Sequence, residues 1–241
     1  MGSSPPIAGR ETSASAAGVR SPWFVGLVVM FVTCLITANI TAVKLIDVFG
    51  LILPAGIIVF PLSYLFGDIL TEVYGYTAAR QVIWLGFLCN AVAVTAIWLG
   101  QVAPAAPFWD GQAAYERILG YTPRLVLASF CAYLVGEFVN SLVLAKMKVL
   151  TAGRWLWTRT IGSTLVGQGL DSTVFLTLAF AGTIPMASLA SAIAAQWAVK
   201  TLYEVAATPV TYWVVGFLKR TDRVDVFDYA TDFNPFTMSR S

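Results

Sequence analysis

Six stretches of this 241-residue chain are apolar and long enough to cross a bilayer. About 30 Å of hydrocarbon takes about 20 helical residues. The stretches fall at Trp23–Val43, Leu51–Glu72, Ala79–Gln101, Leu125–Lys146, Ile161–Gly182 and Ala187–Leu218. No water inside a membrane satisfies backbone N–H and C=O groups, so runs of this length must close their own hydrogen bonds as helices. The expected fold is an all-α integral membrane protein, a bundle of six transmembrane helices. Composition agrees: 58% of residues are hydrophobic, 12% are charged and mean hydropathy is +0.75. That excludes an ordinary soluble domain and a disordered chain.

Three regions are expected: a disordered tail over residues 1–20, a transmembrane domain over 21–218, and a carboxyl-terminal tail over 219–241. The first tail is rich in Ser, Ala, Gly and Pro. The apolar run behind it lacks an A-x-A cleavage pattern and is read as a retained span. The last tail switches from basic to acidic (KRTDRVDVFDYATDFNPF) and is expected to lie against the cytoplasmic face. Pro54 and Pro61 predict a kinked second helix. The sixth run is too long for one straight span and is expected to tilt or project. A short interfacial helix is expected around Gln112–Leu119 in the loop 102–123. Trp23, Trp98, Trp109, Trp155, Trp157 and Trp213 lie near predicted span ends, as an aromatic belt requires.

Basic residues set the expected orientation. With six spans, one side holds Arg10, Arg20, Arg80, Lys146, Lys148, Arg154, Arg159, Lys219, Arg220, Arg223 and Arg240. The other side holds Lys44, Arg117 and Arg124. The positive-inside rule then places both termini in the cytoplasm. An odd number of spans would remove the asymmetry. Arg80, Arg154 and Arg159 are read as anchors of the cytoplasmic boundary.

Asp68, Glu72, Glu137, Asp171, Glu204 and Lys200 interrupt the apolar runs. A charge at the bilayer centre costs about 2.5–3.5 kcal/mol on insertion scales and normally faces the protein interior or a wet cavity. Three of the spans share a local pattern: Gly67-Asp68-Ile69-Leu70-Thr71-Glu72, Gly136-Glu137-Phe138-Val139-Asn140-Ser141 and Gly167-Gln168-Gly169-Leu170-Asp171-Ser172. The polar members fall at i, i+3 and i+4, on one helix face. The leading glycine lets another helix or a flat ligand approach the backbone. Gln196, Lys200 and Glu204 form a stripe on the sixth span, and Asn39 and Asn90 add polar groups from the first and third. Single amides here equally serve to hold helices together. One lysine cannot neutralise five acids, so the carboxylates point to a ligand. Glu72 is expected nearest the cytoplasmic boundary and hydrated.

Several function classes are excluded or disfavoured. There is no histidine, and Cys34, Cys89 and Cys131 all lie in apolar runs, so neither a disulfide framework nor a zinc site is expected. No Walker phosphate loop, nucleophile elbow or zincin motif occurs. Gly162, Gly167 and Gly169 are read as helix-packing contacts. An aspartyl enzyme built on Asp68 and Asp171 would lack its usual sequence contexts. The chain is not expected to be an enzyme, to carry a cofactor or to bind nucleic acid.

The segment Phe66–Tyr76 (FGDILTEVYGY) resembles the signature of the queuosine precursor transporter family, the YhhQ-type or VUT integral membrane proteins. The resemblance continues through Gly136–Ser141, Ala145–Lys148, Gly153-Arg154, Arg159–Thr164, Gly167-Gln168 and Asp171-Ser172. Its motifs end with Lys200, Glu204, Pro209, Tyr212 and Phe233–Phe236, and the resemblance as a whole covers about residues 30 to 236. It implies six helices in a bacterial inner membrane and uptake of 7-cyano-7-deazaguanine or 7-aminomethyl-7-deazaguanine, precursors of a modified tRNA base. A deazaguanine presents N1–H and a 2-amino group side by side, which one carboxylate accepts in a bidentate bond. Its 6-oxo group calls for a donor from Gln168, Asn140, Asn90 or Lys200, and its face for an aromatic ring from Phe66, Tyr64, Phe138 or Phe175. The expected substrate-binding set is Asp68, Glu137, Asn140, Gln168, Asp171, Asn90, Lys200, Glu204 and Phe138. Which acid reads which edge stays open. A second reading, from a different class, is a binding subunit that needs a separate ATP-driven partner; a third is a non-transporting scaffold. A homodimer is expected, since six helices are few for a self-contained alternating-access machine.

Overall fold

The computed structural model describes residues 21–48, 51–120, 123–183 and 185–237. Helix α1 (Pro22–Thr41) starts where the Ser21 hydroxyl accepts the Phe24 N–H at 3.1 Å, with proline in the first turn. A two-stranded antiparallel hairpin follows, β1 (Leu45–Val48) against β2 (Leu51–Pro54), then a 3-10 turn (Ala55–Ile58). The remaining elements are α2 (Phe60–Val102), α3 (Gln112–Leu119), α4 (Pro123–Leu150), α5 (Leu156–Phe180) and α6 (Met186–Asp222). Helix α3 coincides with the expected interfacial helix. The expected disorder of residues 1–20 concerns residues outside those described.

The second predicted span is corrected in two ways. Residues 51–58 form the second strand and the 3-10 turn, so α2 begins only at Phe60. Pro54 is extended (φ −67°, ψ 137°) and ends the strand rather than kinking a helix. Pro61 lies in the first turn of α2, where a missing N–H costs nothing and no kink results. The break in α2 falls at Gly75 (φ 81°, ψ 169°), backbone that essentially only glycine adopts. At 1.5 Å per residue the 43 residues of α2 would run about 65 Å, twice the hydrocarbon thickness, and the break divides them into arms 60–74 and 76–102.

Among the described residues, length and apolar composition alone qualify three stretches as long and apolar enough to cross a membrane: Pro22–Thr41, Ala55–Val102 and Gln112–Leu150. Helices α5 and α6 have the length but carry Arg159, Gln168, Asp171, Lys200 and Glu204 in buried positions. Helix α6 is continuous over 37 residues with Pro209 inside it, which bears out the expectation that the last run exceeds one straight span. All six tryptophans expected at span ends are exposed. The start of α1, the break in α2 and the end of α6 meet at one end of the bundle: Ser21, before α1, and Tyr74, beside the break, each donate a hydroxyl hydrogen bond to Asp222 at the end of α6.

Close helix crossings fall on the leading glycines of the repeated pattern. A methyl group at Gly136 would sit 2.8 Å from Asp171 Cβ, and one at Gly167 would sit 2.7 Å from Asn140 Cβ. The pair brings α4 and α5 into backbone-to-backbone contact, as small residues do in membrane bundles. Gly162 packs on Met147 and Gly169 on Trp197, so the packing reading of these glycines holds.

Glu72 is not hydrated. It is fully buried and accepts two hydrogen bonds from Arg159, at 2.7 and 2.8 Å, and one from Lys219 at 2.6 Å. Lys148 lies 3.8 Å away and joins Glu72 to Asp225, 2.6 Å from its Nζ. Arg159 is thus a buried ion-pair partner rather than a boundary anchor, while Arg154 is exposed. Arg80, also buried, donates to the carbonyls of Asp232 (2.9 Å) and Asn234 (2.8 Å). The tail beyond α6 seals the break in α2. Val226 N–H donates to the Val73 carbonyl at 3.2 Å, and the Tyr76 N–H donates to the Asp228 carboxylate at 3.1 Å. Each helix arm therefore has an orphan backbone group satisfied by the tail. Trp84 completes the contact by donating to the Pro235 carbonyl at 2.8 Å and packing on Phe236.

Two outcomes follow from this end of the bundle. Glu72→Ala strands buried cations and is expected to lower stability by about 3–5 kcal/mol, measured as a drop in the unfolding midpoint in detergent; an unchanged midpoint would show that the hub is dispensable. Acid is expected to loosen the tail. Burial opposes ionisation of Asp225, but hydrogen bonds from Lys148 and Lys219 outweigh it and hold the carboxyl below the usual range. The folded state therefore binds this proton less tightly than the unfolded chain does. Its contribution is fully present above the ordinary Asp value of about 3.9 and fades as pH falls through the lower folded value. Trp84 fluorescence in an otherwise tryptophan-free variant should report release of Phe236 in that window, and Asp225→Asn should abolish the part of the transition that Asp225 contributes.

Candidate functional site

The polar groups of four helical segments converge near the middles of those segments. Asp68 lies in the first arm of α2, Glu137 and Asn140 in α4, Gln168 and Asp171 in α5, and Lys200 and Glu204 in α6. All seven are at most 5% exposed. On each helix the buried polar members recur every three or four residues: Tyr64, Asp68, Thr71 and Glu72; Glu137, Asn140 and Ser141; Thr164, Gln168, Asp171 and Ser172; Lys200, Glu204, Thr208 and Thr211. This spacing turns one face of every helix inward.

Some of these groups satisfy one another. Asn140 donates its amide to Asp68 Oδ1 at 2.6 Å. Lys200 forms a buried ion pair with Asp171, and its ammonium lies 4.4 Å from the centroid of the Phe60 ring. Thr71 donates to Ser141 at 3.1 Å, tying α2 to α4. The Tyr64 hydroxyl lies beside Asp171 and against Gly136. Other groups have no hydrogen-bond partner among the described residues. They include the second oxygen of Asp68, both oxygens of Glu137, and the side-chain carbonyls of Asn140 and Gln168. Oε1 of Glu204 and the hydroxyls of Thr164, Ser172 and Thr201 share that state. Asp68 lies within electrostatic reach of Glu204 and Glu137, and Glu137 within reach of Asp171 and Lys200.

Native proteins satisfy the large majority of buried polar atoms, and each exception calls for an explanation. Here the exceptions gather on the inward faces of four helical segments and are dominated by acceptors. Such a set matches a ligand rich in N–H donors. The site is closed in this conformation, since its charged members are all buried. Among the described residues no cluster of His, Cys, Asp or Glu could hold a metal ion.

The expected site residues separate into two groups. Asp68, Glu137, Asn140, Gln168, Asp171, Lys200 and Glu204 share the polar interior. Asn90 is buried in a second polar contact, accepting from Asn39 at 3.2 Å, with Ser129 on the other side of Asn39. Phe138 packs on Trp84 at 5.8 Å between ring centroids, within the apolar core. The aromatic rings at the polar interior are instead Tyr64, one of the expected candidates, and Phe60, which sequence reasoning missed. Thr164 and Thr201 were missed as well, while the repeated pattern places Ser172 on the polar face of α5. The four-residue spacing of Phe60, Tyr64 and Asp68, and of Thr164, Gln168 and Ser172, is the signal that places Phe60 and Thr164.

Comparison with known proteins agrees with this architecture. Residues 54–214 match the family model described as "Putative vitamin uptake transporter". The chain is 32% identical over 162 residues to a protein of Bacillus subtilis (strain 168) named "Probable queuosine precursor transporter", covering 66% of this chain and 70% of that protein. It is 26% identical over 155 residues to the "Queuosine precursor transporter" of Escherichia coli (strain K12), covering 63% of this chain and 66% of that protein. A Haemophilus influenzae protein, also named "Probable queuosine precursor transporter", is 26% identical over 145 residues, covering 60% of this chain and 59% of its own length. The chain thus matches between 59% and 70% of the length of these relatives. No solved structure matches. With the family model covering well over half its residues, and an apolar helical fold to go with it, the chain belongs to the vitamin uptake transporter family of membrane proteins.

Proposed function

We propose that this chain is a secondary transporter that imports queuosine precursors, 7-cyano-7-deazaguanine or 7-aminomethyl-7-deazaguanine, through a site at the membrane midplane. The observation that carries the reading is the set of buried, unpartnered acceptors drawn from α2, α4, α5 and α6. Polar groups left dry in hydrocarbon-spanning helices mark substrate pathways. The relatives named for queuosine precursors supply the ligand class. Its adjacent N1–H and 2-amino donors suit a carboxylate, its 6-oxo group suits an ammonium such as Lys200, and its flat face suits Tyr64 or Phe60. The names of the relatives describe transporters and do not favour a binding subunit of an ATP-driven importer.

The proposed topology has six spans, with the two arms of α2 counted separately on either side of Gly75. The meeting of Ser21, Tyr74 and Asp222 at one end supports an even number of crossings. The excess of Lys and Arg at that end supports its assignment to the cytoplasm of a bacterial inner membrane.

Two measurements test these statements. In proteoliposomes the native chain should take up labelled precursor, and Asp171→Ala and Glu137→Ala should each reduce uptake to background while inserting normally. Native uptake by both variants would remove the site. Single cysteines placed at Ser21, before α1, and at Asp232, in the tail after α6, should label from the same face of intact cells. Labelling of the two from opposite faces would exclude the even-span topology.

A further inference from the structure

The carboxylates in and beside the site differ in their partners, and the difference separates their roles. Glu72 is saturated by Arg159 and Lys219. Asp171 is committed to Lys200, Asp68 gives one oxygen to Asn140, and Glu204 leaves one oxygen, Oε1, buried without a partner. Among the described residues Glu137 is the one carboxylate with both oxygens buried and without a partner. A fully buried carboxylate with neither oxygen bonded is among the costliest groups to leave unmatched in a protein interior.

The geometry points to Glu137 as the residue that reads the ligand, accepting N1–H on one oxygen and the 2-amino group on the other. The assignment rests on the proposal above that the ligand is a 7-deazaguanine. Asp171 would have to release Lys200 to accept two donors, and Asp68 would have to release Asn140. Glu137 has nothing to release. Its surroundings match the rest of the same ligand edge. Lys200 lies within electrostatic reach of Glu137 and has further N–H donors beyond the one engaged by Asp171. On the ligand the 6-oxo acceptor follows directly after N1–H, so a donor beside the carboxylate completes the pattern. Gly67 adjoins the carboxylate from α2: a methyl group there would sit 3.1 Å from Glu137 Oε2. The missing side chain keeps that flank of the carboxylate low, as the approach of a planar ring requires.

The test compares two ligands on the purified full-length protein. Binding of 7-cyano-7-deazaguanine is measured against the same ring lacking the 2-amino group. The native chain should prefer the parent by about 10- to 100-fold, the worth of one hydrogen bond to a charged group. Glu137→Gln has one acceptor oxygen and turns an NH2 toward the second donor, so the preference should shrink to less than about threefold. This is the logic of a double-mutant cycle with the ligand as one partner. Asp68→Asn should weaken both ligands alike and keep their ratio. A native ratio in Glu137→Gln overturns the assignment. Should Glu137→Gln bind neither ligand, Glu137→Asp decides, because it keeps both oxygens: restored discrimination supports the assignment, and its absence overturns it. Failure of the native chain to bind either ligand overturns the deazaguanine reading itself, and the assignment with it.

Discussion

A carboxylate in a dry interior must be matched, and two glutamates in this bundle meet that constraint in opposite ways. Glu72 is surrounded by Arg159, Lys219 and Lys148. Glu137, about as deeply buried, touches no donor. The first arrangement spends the charge on structure: it draws α2, α4, α5, α6 and the tail to one point. The second leaves both oxygens unmatched among the described residues, which is what the proposed ligand reading rests on. Desolvating two ions often costs as much as their attraction returns, so a buried pair is weak evidence of stability in itself. Its value here is geometric, since each donor arrives from a different element.

The break at Gly75 depends on the same end of the molecule. Interrupting a helix frees carbonyls on one side and N–H groups on the other, and neither can be left in a membrane bundle. The tail supplies both kinds of partner, through the Val226 N–H and the Asp228 carboxylate. Asp225 and the carbonyls near Asn234 are held in turn by Lys148 and Arg80. The tail is therefore part of the bundle's hydrogen-bond closure rather than an appendage.

The polar interior needs close helices to bring its groups together. Gly136 and Gly167 set that distance for α4 and α5, and Gly67 does so for α2 where it faces Glu137. The glycine and the acid or amide that follows it act as one unit: the first admits the neighbouring helix, and the second projects into the space so formed. That coupling accounts for the pattern recurring on three helices.

Much of this was legible in the sequence. Apolar run length indicated most of the helical stretches, residues 51–58 excepted, and the three- and four-residue spacing of acids and amides indicated which face turns inward, because both follow from helix geometry alone. The short helix at Gln112–Leu119 and the packing role of the glycines were legible for the same reason. Tertiary structure decided what spacing cannot. Pro61 promised a kink, but its place in the first helical turn made it harmless, and the break went to Gly75, where the tail caps it. Glu72 and Glu137 carry the same side chain in similar local patterns. Only the arrival of Arg159 and Lys219 from distant elements makes one a structural hub and leaves the other open. Phe138 looked like a ligand platform beside Glu137, yet the 100° turn between neighbouring helical residues sends it to Trp84 instead. Local sequence sets which groups lie on one face of a helix; which groups meet across helices is set by packing, and partners there determine function.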